Sequence, residues 1–473
     1  IWVLLVSRRL PDASPGIVFG PAAALSATVL AHAAWRGPAL VRAIAGGLVV
    51  AGTTAIIVVG LRGVHAEPAT ALAIWSDSRI ARIAIERVFD VEDIRRELPL
   101  DNVKPPALSS THPDLVLITL DGVRADRTPP YGGAAPMPAL ADLGQRGTVF
   151  KWAFAPSTTL RRALPSLVTG VSPHRIRGTP SETAFRLDPR HVALAERLRA
   201  AGYETAAFTC CLDALGDATR TWTRGFERVT SDDQSIRLAY AAGRFIKTRT
   251  SKAPLLMWIH LRVDWPGDRE AIATHHRLTT YDRALAELDR AIGEVVGAFS
   301  TRSPETAPII VVAGLRGEEL GEHGQAFRED DLYNTQIHVP LVLAGPRIKP
   351  QQILETVGLV DLTPSLIDLA GYVPPRGVAI DGHSFAQTVL GTRAATSNVA
   401  FAAILPDLDR GVTAMAIVRV NWKLIDTGSS IELYDLRTDP EERTNLASQR
   451  TQIVTELRAL LTLRVRAAQT APF

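Results

Sequence analysis

Short apolar runs alternate with amphipathic segments along residues 112–395 of this chain. The run Leu115–Leu120 is rich in Val, Leu and Ile, and it ends on Asp121, directly before Gly122. A run of this length and composition predicts a strand that is buried on both faces. Ligands bind at the carboxyl ends of such strands in open α/β sheets, so Asp121 is a candidate metal ligand or catalytic carboxylate. The alternative for Asp121 is a cap on the following helix.

The same alternation continues through the segment. It predicts strands over 148–154, 203–208, 255–260, 309–313 and 339–344, and helices over 137–147, 160–168, 192–201, 280–299 and 360–370. This order indicates an α/β domain over 112–395, with a mainly parallel sheet sandwiched by helices. Near residue 412 the pattern changes to short alternating strands, over 414–420, 422–426 and 431–434, followed by a helix over 449–467. We therefore predict a small C-terminal antiparallel α+β subdomain over 396–473.

Two uncharged apolar runs lie in the N-terminal region, over 17–35 and 43–61. Each is long enough to span a bilayer as a helix, and residues 1–6 resemble the end of a further span. We predict a membrane region over 1–65, then a connecting helix and linker over 66–111. The alternative is a buried helical hairpin or a signal sequence. Arginines lie on both sides of the two runs in nearly equal number, so charge does not decide the orientation.

Composition narrows the range of partners. The formal net charge is only +3, which does not indicate a nucleic-acid-binding surface. The only two cysteines are adjacent in the sequence, so no Cys/His metal spacing is present.

Several ordered blocks of this sequence resemble the sulfatases of the alkaline-phosphatase superfamily, over about residues 112–465. The blocks are 117–126 (LITLDGVRAD), 167–175 (LVTGVSPHR), 317–324 (GEELGEHG), 339–346 (VPLVLAGP), 361–366 (DLTPSL) and 432–446 (ELYDLRTDPEERTNL). The resemblance implies an alkaline-phosphatase-like fold, with Asp121 at the position of the family's first metal aspartate. It also implies a globular domain outside the cytoplasmic membrane of a bacterium, facing the periplasm.

The catalytic positions that the resemblance identifies do not carry the family's residues. The nucleophile position falls on Leu160, whose alkyl side chain cannot attack sulfur or phosphorus. A slip of one residue would place Thr159 there, and a cap of the following helix is the other interpretation of Thr159. The last histidine of a family His-x-x-Asp-Pro-His stretch is replaced by Trp265.

The second metal cluster of the family, Asp-His, is replaced by Leu315 and Arg316. A divalent cation needs several oxygen ligands, and an arginine offers a fixed positive charge with no acceptor atom. We therefore expect no metal cofactor, and Asp121 is the only candidate ligand. The hypothesis is that Arg316 occupies the former metal position and pairs with Asp121. A calcium or magnesium ion is expected only if the protein is an active enzyme.

Other charged residues fit more than one role. Arg124, Arg161, Arg162 and Arg316 are candidates to hold an anionic sugar or lipid head group, and Lys423 matches a family lysine near the site. Lys423 is otherwise a surface charge. The Glu318, Glu319, Glu322 and His323 group has metal-like spacing, but a solvated loop is the preferred interpretation.

Three functions remain open from the sequence. The first is a membrane-anchored pseudoenzyme, which acts as a scaffold or binding subunit together with other membrane-protein subunits. The second is an active hydrolase or phosphotransferase on a sulfuric or phosphoric ester, with Thr159 as the nucleophile. The third is a module that binds an anionic sugar or lipid head group in the former cleft, and it is compatible with the first.

Overall fold

The structure is a computed structural model. It describes residues 112–470 apart from 181–184, 189, 212–221, 268–271, 304–305, 325, 327–330, 373–379, 393–398 and 405–413. The predicted membrane region over 1–65 and the linker over 66–111 lie outside the described residues. Within the part of the chain that the structure does describe, no helix is both long and apolar enough to cross a membrane.

The main body is an eight-stranded sheet. Its strands are β1 (Leu115–Asp121), β2 (Thr148–Phe154), β5 (Glu204–Cys210), β6 (Arg228–Asp232), β7 (Leu255–Arg262), β8 (Ile309–Arg316), β9 (Leu341–Ala344) and β10 (Gln351–Gly358). They lie in the order β10-β2-β9-β8-β1-β7-β5-β6. Only β9 runs antiparallel to its neighbours, so the predicted mainly parallel sheet is confirmed. A separate short hairpin pairs β3 (Gly178–Pro180) with β4 (Phe185–Leu187).

Helices cover both faces of this sheet, as its doubly buried strands require. Alternate residues of β1 belong to two different hydrophobic clusters, with Leu115 and Leu117 in one and Val116, Ile118 and Leu120 in the other. The first face is covered by α2 (Leu160–Thr169), α3 (Leu194–Ala200), α7 (Leu362–Leu369) and α8 (Ala386–Val389). The second face is covered by α1 (Pro138–Arg146), α4 (Ser235–Thr248) and α5 (Thr274–Gly297). A short helix, α6 (Asn334–Ile337), precedes β9.

A four-stranded antiparallel sheet follows in the chain. Its strands β11 (Val399–Ile404), β12 (Ala414–Arg419), β13 (Trp422–Asp426) and β14 (Ile431–Asp435) pair in sequence order. Its apolar side chains, among them Ala416 and Val418, join the same cluster as Leu115. Residues 112–446 thus lie in one compact unit. The C-terminal helix α9 (Thr451–Thr470) follows, and most of it falls in a second unit.

Candidate functional site

Asp121 lies at the carboxyl end of β1, in the centre of the large sheet, between β7 and β8. Backbone hydrogen bonds to both neighbouring strands continue past Asp121. The Val263 amide donates to the Asp121 carbonyl, and the Val123 amide donates to the Arg316 carbonyl. The Asp121 side chain is only 3% exposed. A buried carboxylate at this place needs a compensating positive charge.

Arg316 supplies that charge, as the sequence predicted. Its Nε lies 2.8 Å from Oδ1 of Asp121, in a position where it too is buried. The N–H is not aligned on the oxygen, so the contact is an ion pair without a linear hydrogen bond. The pairing of β1 with β8 skips one residue, because Leu120 lies opposite Gly314 and Asp121 opposite Arg316. This bulge leaves Leu315 out of the register and brings Arg316 beside Asp121.

His260 on β7 lies beside Thr119, and its ring is held in the neutral form. Trp258 Nε1 donates to the Thr119 hydroxyl at 2.9 Å, and that hydroxyl lies 3.0 Å from His260 Nδ1. The hydroxyl has a proton that it can donate to Nδ1 of the neutral imidazole tautomer protonated on Nε2. Burial lowers the pKa of His260 to about 4, against the opposing effect of the Asp121 charge.

Trp265, at the family's last-histidine position, packs against Tyr281. The two rings stack with centroids 5.5 Å apart. The Tyr281 hydroxyl donates to the Gly122 carbonyl at 2.7 Å and accepts from the Arg124 amide at 3.0 Å. Gly122 has φ +80°, a left-handed backbone conformation that favours glycine. Tyr281 therefore fixes the turn after Asp121. The sequence gives only one sign of this role: Tyr281 lies one helical turn before Leu285, on the apolar stripe of α5.

The two candidate nucleophile positions lie at the start of α2. Leu160 is its first residue, and Thr159 is the N-cap, with an extended backbone and no capping hydrogen bond from its side chain. Both side chains are half-buried. The predicted cap position of Thr159 is thus present, while its hydroxyl does not perform the usual capping role.

Most of the predicted anion-binding cations have carboxylate partners within the fold. Arg124 is 5% exposed and binds both oxygens of Asp126, at 3.0 and 2.8 Å, and also Glu322. Lys423 is fully buried, with Nζ 2.6 Å from Glu442 Oε1, so it is neither a surface charge nor a cation of the cleft. Arg162 is also buried, whereas Arg161 is exposed on α2. The structure therefore corrects the expectation for Arg124 and Lys423, whose charges are already balanced.

The expectation of a solvated loop after β8 holds only in part, because Glu322 is exposed and His323 is half-buried, whereas the two preceding glutamates are buried. Glu318 is 2% exposed and Glu319 is completely buried. Glu319 accepts hydrogen bonds from the Thr335 hydroxyl and from the His323 backbone amide. The carboxylate is thus bound both by the local His323 and by the more distant Thr335, and the local sequence of the loop does not indicate the threonine.

The residues present do not fit a divalent metal ion. In the described ranges, no group of three or more His, Cys, Asp or Glu side chains is arranged to hold one. At the strand end, the cationic guanidinium of Arg316 contacts the one carboxylate that the resemblance assigns to a metal. A second cation beside this pair would be repelled by the first.

Comparisons with known proteins agree on one family. A family model described as "Sulfatase" matches residues 113–241 and 223–372, and a second, "N-sulphoglucosamine sulphohydrolase, C-terminal", matches 321–469. Arylsulfatase K of Xenopus laevis is 30% identical over 191 residues, which are 37% of this chain and 35% of that protein. Delta 4,5-hexuronate-2-O-sulfatase of Bacteroides thetaiotaomicron is 28% identical over 196 residues, 39% of this chain and 40% of that protein. The chain thus spans well under half the length of these curated relatives.

Solved structures share the fold. A 2-O GAG sulfatase superposes with a TM-score of 0.65 at 20% identity, covering 76% of this chain and 93% of that one. The phosphonate monoester hydrolase of Agrobacterium radiobacter superposes with a TM-score of 0.63 at 18% identity, covering 75% of this chain and 95% of that one. At these identities the likeness concerns the fold alone.

Proposed function

This chain belongs to the sulfatase family, and we propose that it is a family member without ester-hydrolase activity, a pseudoenzyme whose α/β domain is a binding or scaffold subunit at a membrane. The single observation that carries this proposal is the ion pair between Asp121 and Arg316. A guanidinium cannot be deprotonated in a protein and has no lone pair to offer. It neutralises Asp121 without supplying the Lewis acidity that a metal ion gives to ester cleavage.

The other two substituted positions support the same conclusion. Leu160 offers no nucleophile at the start of α2, and Trp265 offers no proton at the position of the family's last histidine. His260 remains beside the pair, but burial keeps it neutral with a pKa of about 4, and its Nδ1 lies 3.0 Å from the Thr119 hydroxyl. The residues at the positions that the resemblance assigns to the nucleophile, a metal ligand and the acid are thus Leu160, Arg316 and Trp265, and these side chains support the proposal because none of them suits its assigned role.

An active hydrolase is the second candidate. The relatives carry sulfatase names, and Thr159 stands at a helix N-cap with a hydroxyl that makes no capping bond. In this alternative Thr159 attacks the sulfuric or phosphoric ester, and a calcium or magnesium ion would have to displace Arg316 from Asp121. Binding of an anionic sugar or lipid head group has less support, since Arg124, Lys423 and Arg316 already pair with carboxylates.

The test is an assay of purified protein with 4-methylumbelliferyl sulfate and 4-methylumbelliferyl phosphate, with calcium, with magnesium and with chelator. An active sulfatase run in parallel validates the assay. We expect no hydrolysis above the rate without protein, and no difference between wild type and Thr159→Ala. Elemental analysis is expected to find well under one calcium or magnesium ion per chain. Hydrolysis that disappears in Thr159→Ala, or about one chelatable ion per chain, would overturn the proposal.

Membrane attachment is the part of the proposal that rests on sequence alone, through the apolar runs at 17–35 and 43–61. The proposed location is the cytoplasmic membrane of a bacterium, with the α/β domain facing the periplasm. The proposed partners are other membrane-protein subunits. Fractionation of the tagged protein in a bacterial host tests it. The full chain should stay with the membranes after a carbonate wash, and a chain lacking residues 1–65 should not.

A further inference from the structure

His323 lies between two hydrogen-bond acceptors, one for each nitrogen of its ring. Nδ1 is 3.2 Å from a carboxylate oxygen of Glu319, and Nε2 is 3.3 Å from the backbone carbonyl oxygen of Glu441. Neither partner atom can donate. A neutral imidazole carries only one N–H, so it can satisfy only one of the two contacts. The geometry therefore fits the doubly protonated imidazolium.

The surroundings of the ring favour the same charge. Glu319 is completely buried, and its charge is balanced there by His323, since its other partner is the Thr335 hydroxyl. The Tyr333 ring stacks on His323 with centroids 3.8 Å apart and planes 13° from parallel. The Tyr333 hydroxyl in turn donates to Glu432 of β14. The imidazolium thus joins the segment after β8 to the antiparallel sheet.

We propose that His323 is a proton-dependent clamp, which holds the segment Gly317–Gly324 against the turn containing Glu441 and releases it when the imidazolium loses its proton. This inference concerns regulation and does not depend on whether the protein is a pseudoenzyme.

The segment also borders the end of β1. A Cβ atom built on Gly122 would lie 3.5 Å from Oε2 of Glu318. Glu322 pairs with Arg124, whose backbone amide is held by the Tyr281 hydroxyl. Release of the segment therefore loosens the contacts around the turn that follows Asp121, so the clamp connects proton concentration to the candidate site.

Charged groups face His323 from every element that packs against it. Glu319 comes from its own segment, Asp331 precedes α6, and Glu442 belongs to the turn after β14, where Lys423 of β13 offsets it. Burial by itself lowers the pKa of His323, but the hydrogen bond and charge of Glu319, the Glu442 charge and the Glu441 carbonyl together raise it above 6.5. A raised pKa means that the clamp is fully present below pH 6.5 and is lost as the pH rises through the folded-state pKa.

Two measurements on the intact protein test the clamp. In ¹⁵N-histidine NMR spectra, His323 should be doubly protonated at pH 6 and titrate above pH 6.5. Hydrogen exchange of the segment Gly317–Gly324, corrected for the intrinsic rate, should be slow at pH 6 and faster at pH 8.5. Between these pH values, the protection factor of the segment should fall by at most about tenfold for each pH unit by which the folded-state pKa of His323 exceeds 6.5.

Two variants separate the clamp from other titrations. His323→Gln keeps a donor but cannot titrate, so its segment should be weakly protected at both pH values. Asp331→Asn removes the neighbouring carboxyl, whose pKa burial raises to about 6, and should leave the pH dependence in place. A neutral His323 at pH 6, or equal protection of the wild-type segment at both pH values, would overturn the proposal. The NMR titration of the wild type decides the question even if His323→Gln does not fold.

Discussion

The Lys423 ammonium and the Glu442 carboxylate lie 2.6 Å apart, and neither side chain has any exposed surface. Asn334 completes the arrangement, because its side-chain oxygen accepts from Lys423 at 3.0 Å and its backbone amide donates to Glu442. This pair ties β13 and the turn after β14 to the start of α6. Like Asp121 and Arg316, these residues form a buried pair of opposite charges.

Lys423→Met is expected to lower the free energy of unfolding by about 3–5 kcal/mol, because it leaves Glu442 buried without its cation. The double variant Lys423→Met, Glu442→Leu should recover most of this loss, since both charges are then removed. Urea unfolding followed by circular dichroism measures both values. Arg290→Ala, which breaks an exposed pair with Glu287, is the control and should change stability by less than about 0.5 kcal/mol. If Lys423→Met also changed stability by less than about 0.5 kcal/mol, the buried pair would not have the proposed structural role.

Arg316→Met should be destabilising by a similar amount, about 3–5 kcal/mol, because Asp121 is then buried without a partner charge. Adding Asp121→Asn should restore part of the stability, and a double-mutant cycle over the two positions isolates the coupling between them. The same urea titration gives all four values. Independent, additive effects of the two substitutions would show that the ion pair does not hold the strand end together.

Asp289 of α5 caps helix α1 from outside it. Its two oxygens accept from the backbone amides of Ala139 and Leu140, at 2.8 and 2.9 Å, and the side chain is 3% exposed. Asp289→Ala should lower the free energy of unfolding by about 1–3 kcal/mol, since two buried amides lose their acceptor. Glu287→Ala on the exposed side of the same helix is the matched control. Equal effects of the two substitutions on the unfolding midpoint would rule out the cap.

His260 should make the protein less stable in acid. Its folded-state pKa of about 4 lies below the ordinary value of 6.5, so between these values the unfolded chain binds the extra proton. Stability from this residue is therefore present above pH 6.5 and falls as the pH falls, by about 2 kcal/mol at pH 5. The direction is opposite to that expected for His323.

The measurement is urea unfolding at pH 7.5 and pH 5 for wild type, His260→Gln and His276→Gln. The difference between the two pH values should shrink by about 2 kcal/mol in His260→Gln. It should stay unchanged in His276→Gln, since His276 is exposed on α5. A wild-type pH dependence in His260→Gln would show that the buried ring is not the group responsible.

Most of the strands and helices of the α/β domain could be predicted from the apolar pattern, with errors of a few residues at their ends. The predicted strand over 255–260 is Leu255–Arg262, and the predicted helix over 280–299 is Thr274–Gly297. Helix α4 (Ser235–Thr248) and strand β10 (Gln351–Gly358) were missed. Strand β10 lies at an edge of the sheet and mixes buried with exposed positions, so it has no continuous apolar run to reveal it.

The candidate site could be predicted where a cationic residue replaces a residue that would bind a metal cation. Arg316 in place of a metal ligand implied a partner carboxylate, and Asp121 was the only candidate nearby. Glu319 and Lys423 were misjudged, because residues that help to bury them lie far away in the sequence, although His323 beside Glu319 is only four residues away. Thr335 is 16 residues from Glu319, and Asn334 is 89 residues from Lys423. Burial of a charged side chain depends on such distant partners, which local composition does not indicate.

The skipped residue in β8 has a consequence for how such a site can change over evolution. In an unbroken ladder, Leu315 would stand opposite Asp121, and the arginine would point to the other side of the sheet, among apolar side chains. In the sequence as it stands, with Leu315 between Gly314 and Arg316, the bulge is what keeps the arginine beside Asp121. Deleting Leu315 should therefore be tolerated better than straightening the strand with Leu315 retained. The deletion places Arg316 directly after Gly314 and still opposite Asp121, whereas straightening would leave two separated, buried charges.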